Sequence, residues 1–392
     1  MIDLEKTVLG IELGSTRIKA VLIDEKHIPI AQGDYEWENQ FVNGVWTYSM
    51  DAVHTGIQAC FAGLKADVKA KFDTELATVG AIGVSAMMHG YLPFDKEGRQ
   101  LAEFRTWRNT TTGEAAAELT ELFGFNIPQR WSIAHLYQAV LCGEEHTGSI
   151  AYINTLAGYI HFLLTGRREA GIGEASGIFP IKDMDYNAEY LAKTEALLSA
   201  KGFNRRLRDV LPEVRLAGAK GAVLTEEGAR LLDPTGTLMP GVPVCPPEGD
   251  AGTGMTATNS VRRRTGNISA GTSIFSMLVL DKPLSAPHED IDIVTTPDGS
   301  DVAMVHCNNC CSEIDMWVRM FGEFAELAGA PMDKSALYET LYKNALAAPA
   351  DCCGAAACNF ISGEPVAHVE TGRPMYTREP DRAVTLGGFF RA

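Results

Sequence analysis

The chain has 392 residues, of which 46% are apolar, and its 34 Lys and Arg stand against 50 Asp and Glu for a formal charge of −16. That length accommodates two domains or more with ordinary cores. The acidity excludes a broad basic surface for nucleic acid or anionic membrane, so any phosphate binding must be local. Asp3, Glu5 and Lys6 precede the first apolar run, which argues against a secretory leader, and the longest charge-free stretch, about 146–166, is too polar for a membrane span. A cytoplasmic protein with free thiols is expected.

In chain order, Thr7 to Leu13 and Arg17 to Ile23 alternate as strands around a Gly14-Ser15-Thr16 turn. His27 to Trp37 supplies a third strand. Ser49 then caps a helix in which Val53, Ile57, Cys60, Phe61, Leu64 and Val68 recur at helical spacing, and Val79 to Val84 returns to strand character. This is an α/β layer with the hairpin expected at a sheet edge. Thr111 and Glu114 have capping-box spacing, and helices follow near 115–123, 132–142, 152–164 and 189–199. Five prolines between Asp233 and Gly254 mark a domain boundary. Beyond it the opening pattern recurs: a strand at 265–268, the turn 269–273, and a strand at 274–280 ending at Asp281. The recurrence suggests a duplicated α/β core.

No Gly-x4-Gly-Lys-Ser/Thr is present, and GIGEASG at 171–177 lacks dinucleotide spacing. Each hairpin tip alone reads as an ordinary turn. Two in matching contexts, Gly14-Ser15-Thr16 and Gly271-Thr272-Ser273, offer the Cβ-free, amide-rich concavity that accepts phosphate oxygens.

Four regions in order carry a family likeness: VLGIELGSTRIKAVLID (8–24), AIGVSAMMHGYLPFDKEGRQL (81–101), FRTWRNTTT (104–112), and PEGDAGTGM (247–255) with GNISAGTSIFSML (266–278). Together they resemble the FGGY carbohydrate kinases of the sugar kinase, Hsp70 and actin superfamily, in particular the xylulokinase branch. The resemblance implies an α/β fold of duplicated ribonuclease H-like (actin-like ATPase) domains, with mixed sheets covered by helices. Residues 1–246 would form the sugar-binding domain with a helical insertion, and 247–392 an incomplete ATP-binding domain. It implies a kinase that uses ATP and Mg²⁺ on a small sugar, a ketopentose such as xylulose. Asp250 would be the catalytic base and would touch the sugar. Gly14, Ser15, Thr16, Lys19, Gly271, Thr272 and Ser273 would hold the nucleotide phosphates, and Met88, His89, Trp107 and Asn109 the sugar. Glu12, where the family usually has Asp, would join Asp250 at the metal.

Two alternatives follow from other features. Little chain follows the second tip, and Gly387-Gly388 is too late to open an adenosine-binding helix, so a shortened, catalytically impaired sugar- and nucleotide-binding protein is one expectation. It would expose Phe389 and Phe390 and self-associate, as a homodimer for instance. The other rests on six late cysteines, Cys307, Cys310, Cys311, Cys352, Cys353 and Cys358, which would suit an actin-like activator ATPase holding a metal or an iron–sulfur cluster.

Overall fold

The computed structural model describes residues 2–271, 273–358, 360, 364, 369, 372 and 374–392. The opening hairpin forms as its alternation demands. β1 (Val8–Leu13) and β2 (Arg17–Ile23) pair antiparallel, burying Leu9, Ile11, Leu13, Ile18, Ala20 and Leu22 on one face and presenting Glu12 and Lys19 on the other. β3 (Pro29–Glu36) pairs with β2. Ser49 Oγ then accepts the Ala52 N–H at 3.1 Å, and α1 (Met50–Phe72) buries Val53, Ile57, Cys60, Phe61, Leu64 and Val68 against the sheet, the stripe expected from its spacing. The helix provides the crossover that lets β4 (Ala81–Ala86) lie parallel to β1.

The sheet is completed by β5 (Ala222–Val223), β6 (Pro243–Val244) and β7 (Glu248–Gly249). Its order is β5–β6–β4–β1–β2–β3, and β7 also pairs with β4. The hairpin is therefore not at an edge as expected. The parallel return of β4 takes the second ladder of β1, and β3 is left as the edge strand.

The helical stretch contains α2 (Gly113–Phe123), α3 (Ser132–Leu141), α4 (Leu156–Thr165), α5 (Ile172–Ala175) and α6 (Ala188–Ala200). Two local expectations are corrected. The Thr111–Glu114 capping box does not form, because α2 begins after Thr112, whose hydroxyl is spent on the Gln129 carbonyl at 2.5 Å. Residues 152–154 are a strand paired with Leu92–Phe94, and the helix starts only where Thr155 Oγ1 accepts the Gly158 N–H. α7 (Asp250–Ala257) follows β7 directly, with Gly249 as its N-cap.

The chain divides into two compact units, Met1–Asn267 with Leu278–Ala303, and Ile268–Met277 with Met304–Ala392. The recurring strand–turn–strand is present as β8 (Gly266–Ala270) and β9 (Ile274–Val279), in a sheet of order β8–β9–β11–β10 with β10 (Asp292–Thr295) and β11 (Asp301–Cys307). In the second unit, α8 (Cys311–Leu327) and α9 (Lys334–Ala347) share a small core of Val318, Leu337 and Leu341. Phe389 and Phe390, on α10 (Leu386–Arg391), are not splayed into solvent as expected. Phe389 packs edge-on to Trp317 at 5.1 Å, and Phe390 meets Phe321 and Tyr342. No helix among the described residues is long and apolar enough to cross a membrane.

Candidate functional site

The first tip is held by its carbonyls. Trp37 Nε1–H donates to Gly14 O at 2.7 Å, the Trp37 N–H to Thr16 O at 3.2 Å, and the Tyr48 hydroxyl to Ser15 O at 2.6 Å. Trp37 and Tyr48 are buried and stacked 4.2 Å apart. Gly14 N–H closes the turn onto Arg17 O, whereas the N–H groups of Ser15 and Thr16 have no acceptor among the described residues. Adjacent free amides whose carbonyls are tied back form a ready anion-binding concavity. Neither Trp37 nor Tyr48 was singled out from sequence. Their only signal is an aromatic pair just after the third strand.

Strand register carries the tip into the rest of the site. Lys19 lies opposite Glu12 on β1 and Asp34 on β3, Glu12 lies opposite Ser85 on β4, and Ser85 lies opposite Glu248 on β7. One face of the sheet therefore presents a polar row, Asp34–Lys19–Glu12–Ser85–Glu248. Arg17 takes Asp34 and Glu36, which leaves Lys19 exposed without an ion pair among the described residues.

Asp250, the first residue of α7, sits beside this row. Its Oδ1 accepts the Met88 N–H at 3.1 Å and the Ala251 N–H at 2.9 Å. Ser85 Oγ lies 2.9 Å from Thr253 Oγ1, which in turn reaches the Asp250 carbonyl, so the helix start is fastened to β4. Burial pushes the Asp250 carboxyl up to about 6, against the two N–H groups that pull it down, and the Glu12 charge adds to the rise.

Two buried carboxyls that the sequence reading passed over lie beneath. Glu248 accepts the Glu174 N–H at 2.9 Å and is pushed up to about 7 by burial. Glu174 is raised well above the usual carboxylate range by burial, with the charges of Glu248 and Asp250 adding to it. A Cβ on Gly249 would come within 2.5 Å of Glu174 Oε2 and 2.9 Å of Met88 Cγ, so a larger residue here would push on both side chains.

The segment Met88-His89-Gly90 is buried at Met88 and His89. His89 has φ +71°, an uncommon left-handed conformation for a residue with a side chain, and Gly90 has φ +105°, which glycine adopts without steric cost. The His89 ring stands over Gly177, where a Cβ would lie 2.6 Å from Nδ1, and stacks 6.5 Å from Trp131. Met88 is thus joined to Asp250, whereas Trp107 is half-buried against the core. Asn109 departs from its expected role. Its Oδ1 accepts the Trp46 N–H at 2.9 Å and its Nδ2 donates to Trp46 O and Thr106 O, so the carboxamide is consumed by main chain and orders the Trp46 strand rather than facing a sugar.

In the second unit, the Gly271 N–H donates to Ser273 O at 2.9 Å, and Gly271 O accepts the Cys311 N–H at 2.9 Å. His306 Nε2 is 3.1 Å from Ser273 Oγ. Thr272, the middle residue of the expected tip, lies outside the described residues. The alternative of a metal or cluster at the late cysteines finds no support in their geometry. Among the described residues no three Cys, His, Asp or Glu side chains converge as metal ligands.

The FGGY family of carbohydrate kinases matches through its N-terminal domain over residues 7–139 and through its C-terminal domain over residues 266–392. The glycerol kinase of Thermococcus gammatolerans is 22% identical over 204 residues, 48% of this chain and 40% of that protein. The chain thus matches about two-fifths of the length of this curated relative. Ligand-bound xylulose kinase from Lactobacillus acidophilus superposes with a TM-score of 0.76 at 16% identity, covering 98% of this chain and 74% of that one. Gluconate kinase from the same organism gives 0.76 at 16% identity over the same shares. At such identities the likeness shows the fold, the two-domain actin-like ATPase fold of these kinases. By its matches to both domains, the chain belongs to the FGGY family of carbohydrate kinases.

Proposed function

We propose that the protein transfers the γ-phosphoryl group of ATP to a hydroxyl of a small sugar, a ketopentose such as xylulose, with Asp250 as the base. One observation carries the reading: the Asp250 carboxylate accepts the main-chain N–H of Met88, so the base and the Met-His-Gly segment are a single hydrogen-bonded unit. A sugar bound over Met88 and His89 would present its hydroxyl to Asp250. That carboxylate accepts the proton as the oxygen attacks phosphorus, a contribution of about 10²- to 10⁴-fold. Phosphoryl transfer otherwise depends on positioning and charge neutralisation. The free amides of Ser15 and Thr16 and the Lys19 ammonium serve that purpose from the first tip, and Gly271, Thr272 and Ser273 are proposed to do so from the second.

Mg²⁺ uses one or two carboxylates and completes its shell with water and substrate phosphates. Glu12 and Asp250, close enough for the Glu12 charge to raise Asp250, fit that donor set. A bound ion would neutralise the phosphate oxygens.

The matched glycerol kinase favours a second reading, a shorter polyol as acceptor. Coupled ADP release with D-xylulose, L-xylulose, D-ribulose, L-ribulose, gluconate and glycerol discriminates the two. A ketopentose is expected to give the highest kcat/KM, with kcat falling about 10²- to 10⁴-fold in Asp250→Asn. Preference for glycerol would replace the ketopentose reading, and full turnover by Asp250→Asn would remove Asp250 as the base.

A further inference from the structure

The second tip rests on a peptide that joins two thiols. Cys310 caps α8 and Cys311 is its first residue, both are partly exposed, and their Sγ atoms are 3.9 Å apart. The amide between them is the Cys311 N–H, and that N–H holds Gly271 O at 2.9 Å. We propose that Cys310 and Cys311 form an oxidisable pair, and that their disulfide, made by a hydroperoxide, frees the Gly271 carbonyl from its N–H partner and weakens nucleotide binding. The consequence for the nucleotide rests on the functional reading above, while the release of the carbonyl does not.

The chemistry balances. Hydrogen peroxide converts the Cys310 thiolate to a sulfenic acid and leaves as hydroxide. The Cys311 thiolate then attacks that sulfur, and the sulfenic oxygen departs as water. Two thiols are oxidised by two electrons, and one peroxide becomes two waters. Closing the gap from 3.9 Å to about 2.05 Å is within reach of side-chain rotation. The backbone must also respond. Residues joined by a trans peptide have Cα atoms about 3.8 Å apart, whereas disulfide-linked Cα atoms usually stand about 4.4–6.8 Å apart. Joined through their own peptide, the two cysteines close a strained eight-membered ring that the flat trans peptide cannot span undistorted, and as that peptide leaves planarity the Cys311 N–H turns away from Gly271 O. Burial raises the Cys310 thiol above its usual range, so the thiolate is scarce at neutral pH and oxidation is slow unless peroxide persists.

The whole protein is incubated with hydrogen peroxide at pH 8.5, mapped by peptide mass spectrometry, and compared with its dithiothreitol-reduced form by amide hydrogen exchange and by Mg-ATP titration. The expected result is a Cys310–Cys311 disulfide, faster exchange across 266–279 with no change across 8–23, and ATP affinity weakened about tenfold or more, as loss of one or two anchoring hydrogen bonds would give. Reduction restores all three, and Cys310→Ser, which keeps the Cys311 amide, makes the exchange insensitive to peroxide. A Cys307–Cys310 disulfide in its place, no 310–311 disulfide, or a formed disulfide with unchanged exchange at 266–279 overturns the proposal. If the reduced protein binds no ATP, the functional reading fails, and the exchange data still decide the thiol pair.

Discussion

The two turn regions expected to grip a triphosphate are built alike at the turn and differently behind it. In both, a glycine N–H closes onto a carbonyl two or three residues later, Arg17 O in the first and Ser273 O in the second. Behind the first stand Trp37 and Tyr48, a stacked aromatic pair whose indole and phenol hold the carbonyls from a buried core. Behind the second stand a single peptide N–H flanked by thiols and a half-buried histidine. The same turn is thus held by redox-inert rings in one case and by a peptide between two thiols in the other, so the proposed oxidation would act on the second support and leave the first unchanged.

The largest blow to the first support is Trp37→Ala. It removes a buried ring together with its donor and is expected to cost about 3–5 kcal/mol by chemical denaturation. It should also weaken ATP without altering exchange at 266–279. Asp250→Asn, away from both supports, tests whether loss of function can be told from loss of fold. The folded carboxyl titrates near 6 against 3.8 for the free group, so the folded state holds its proton more tightly and ionisation above pH 6 disfavours folding. Replacing it with Asn should stabilise the protein by up to about 3 kcal/mol at pH 8, and that gain should disappear as the pH falls towards 4. Smaller effects sharpen the contrast. Tyr48→Phe deletes one hydrogen bond to Ser15 O and is expected to cost about 0.5–1.5 kcal/mol, measured by thermal unfolding. His306→Ala, at the second support, should lower global stability least while speeding exchange at 266–279.

Periodicity made the first hairpin, the Ser49 cap and the buried stripe of α1 legible, because each depends on neighbours within a turn or a strand. The central position of the hairpin was not, since β4 reaches β1 only after the whole of α1 has passed. The site divides the same way. The first tip, Lys19 and Asp250 are carried by local patterns set in a family order. The Asp250–Met88 bond, the consumption of the Asn109 amide by Trp46, and the Glu174–Glu248 pair under Gly249 arise from segments distant in sequence. Residue type suggested a sugar contact for Asn109, but besides the nearby Thr106 carbonyl its amide is taken by the N–H and carbonyl of Trp46, about sixty residues upstream and beyond any local pattern.

The most direct test of the account is the pH dependence of kcat/KM for the preferred sugar. If the partly buried carboxyl of Asp250 takes the proton, the rate holds steady above neutrality and falls about tenfold per pH unit below about 6, where the base is protonated. A rate that stays level to pH 5, or breaks only near the unperturbed carboxylate range, would contradict the placement of a partly buried Asp250 at the reacting hydroxyl.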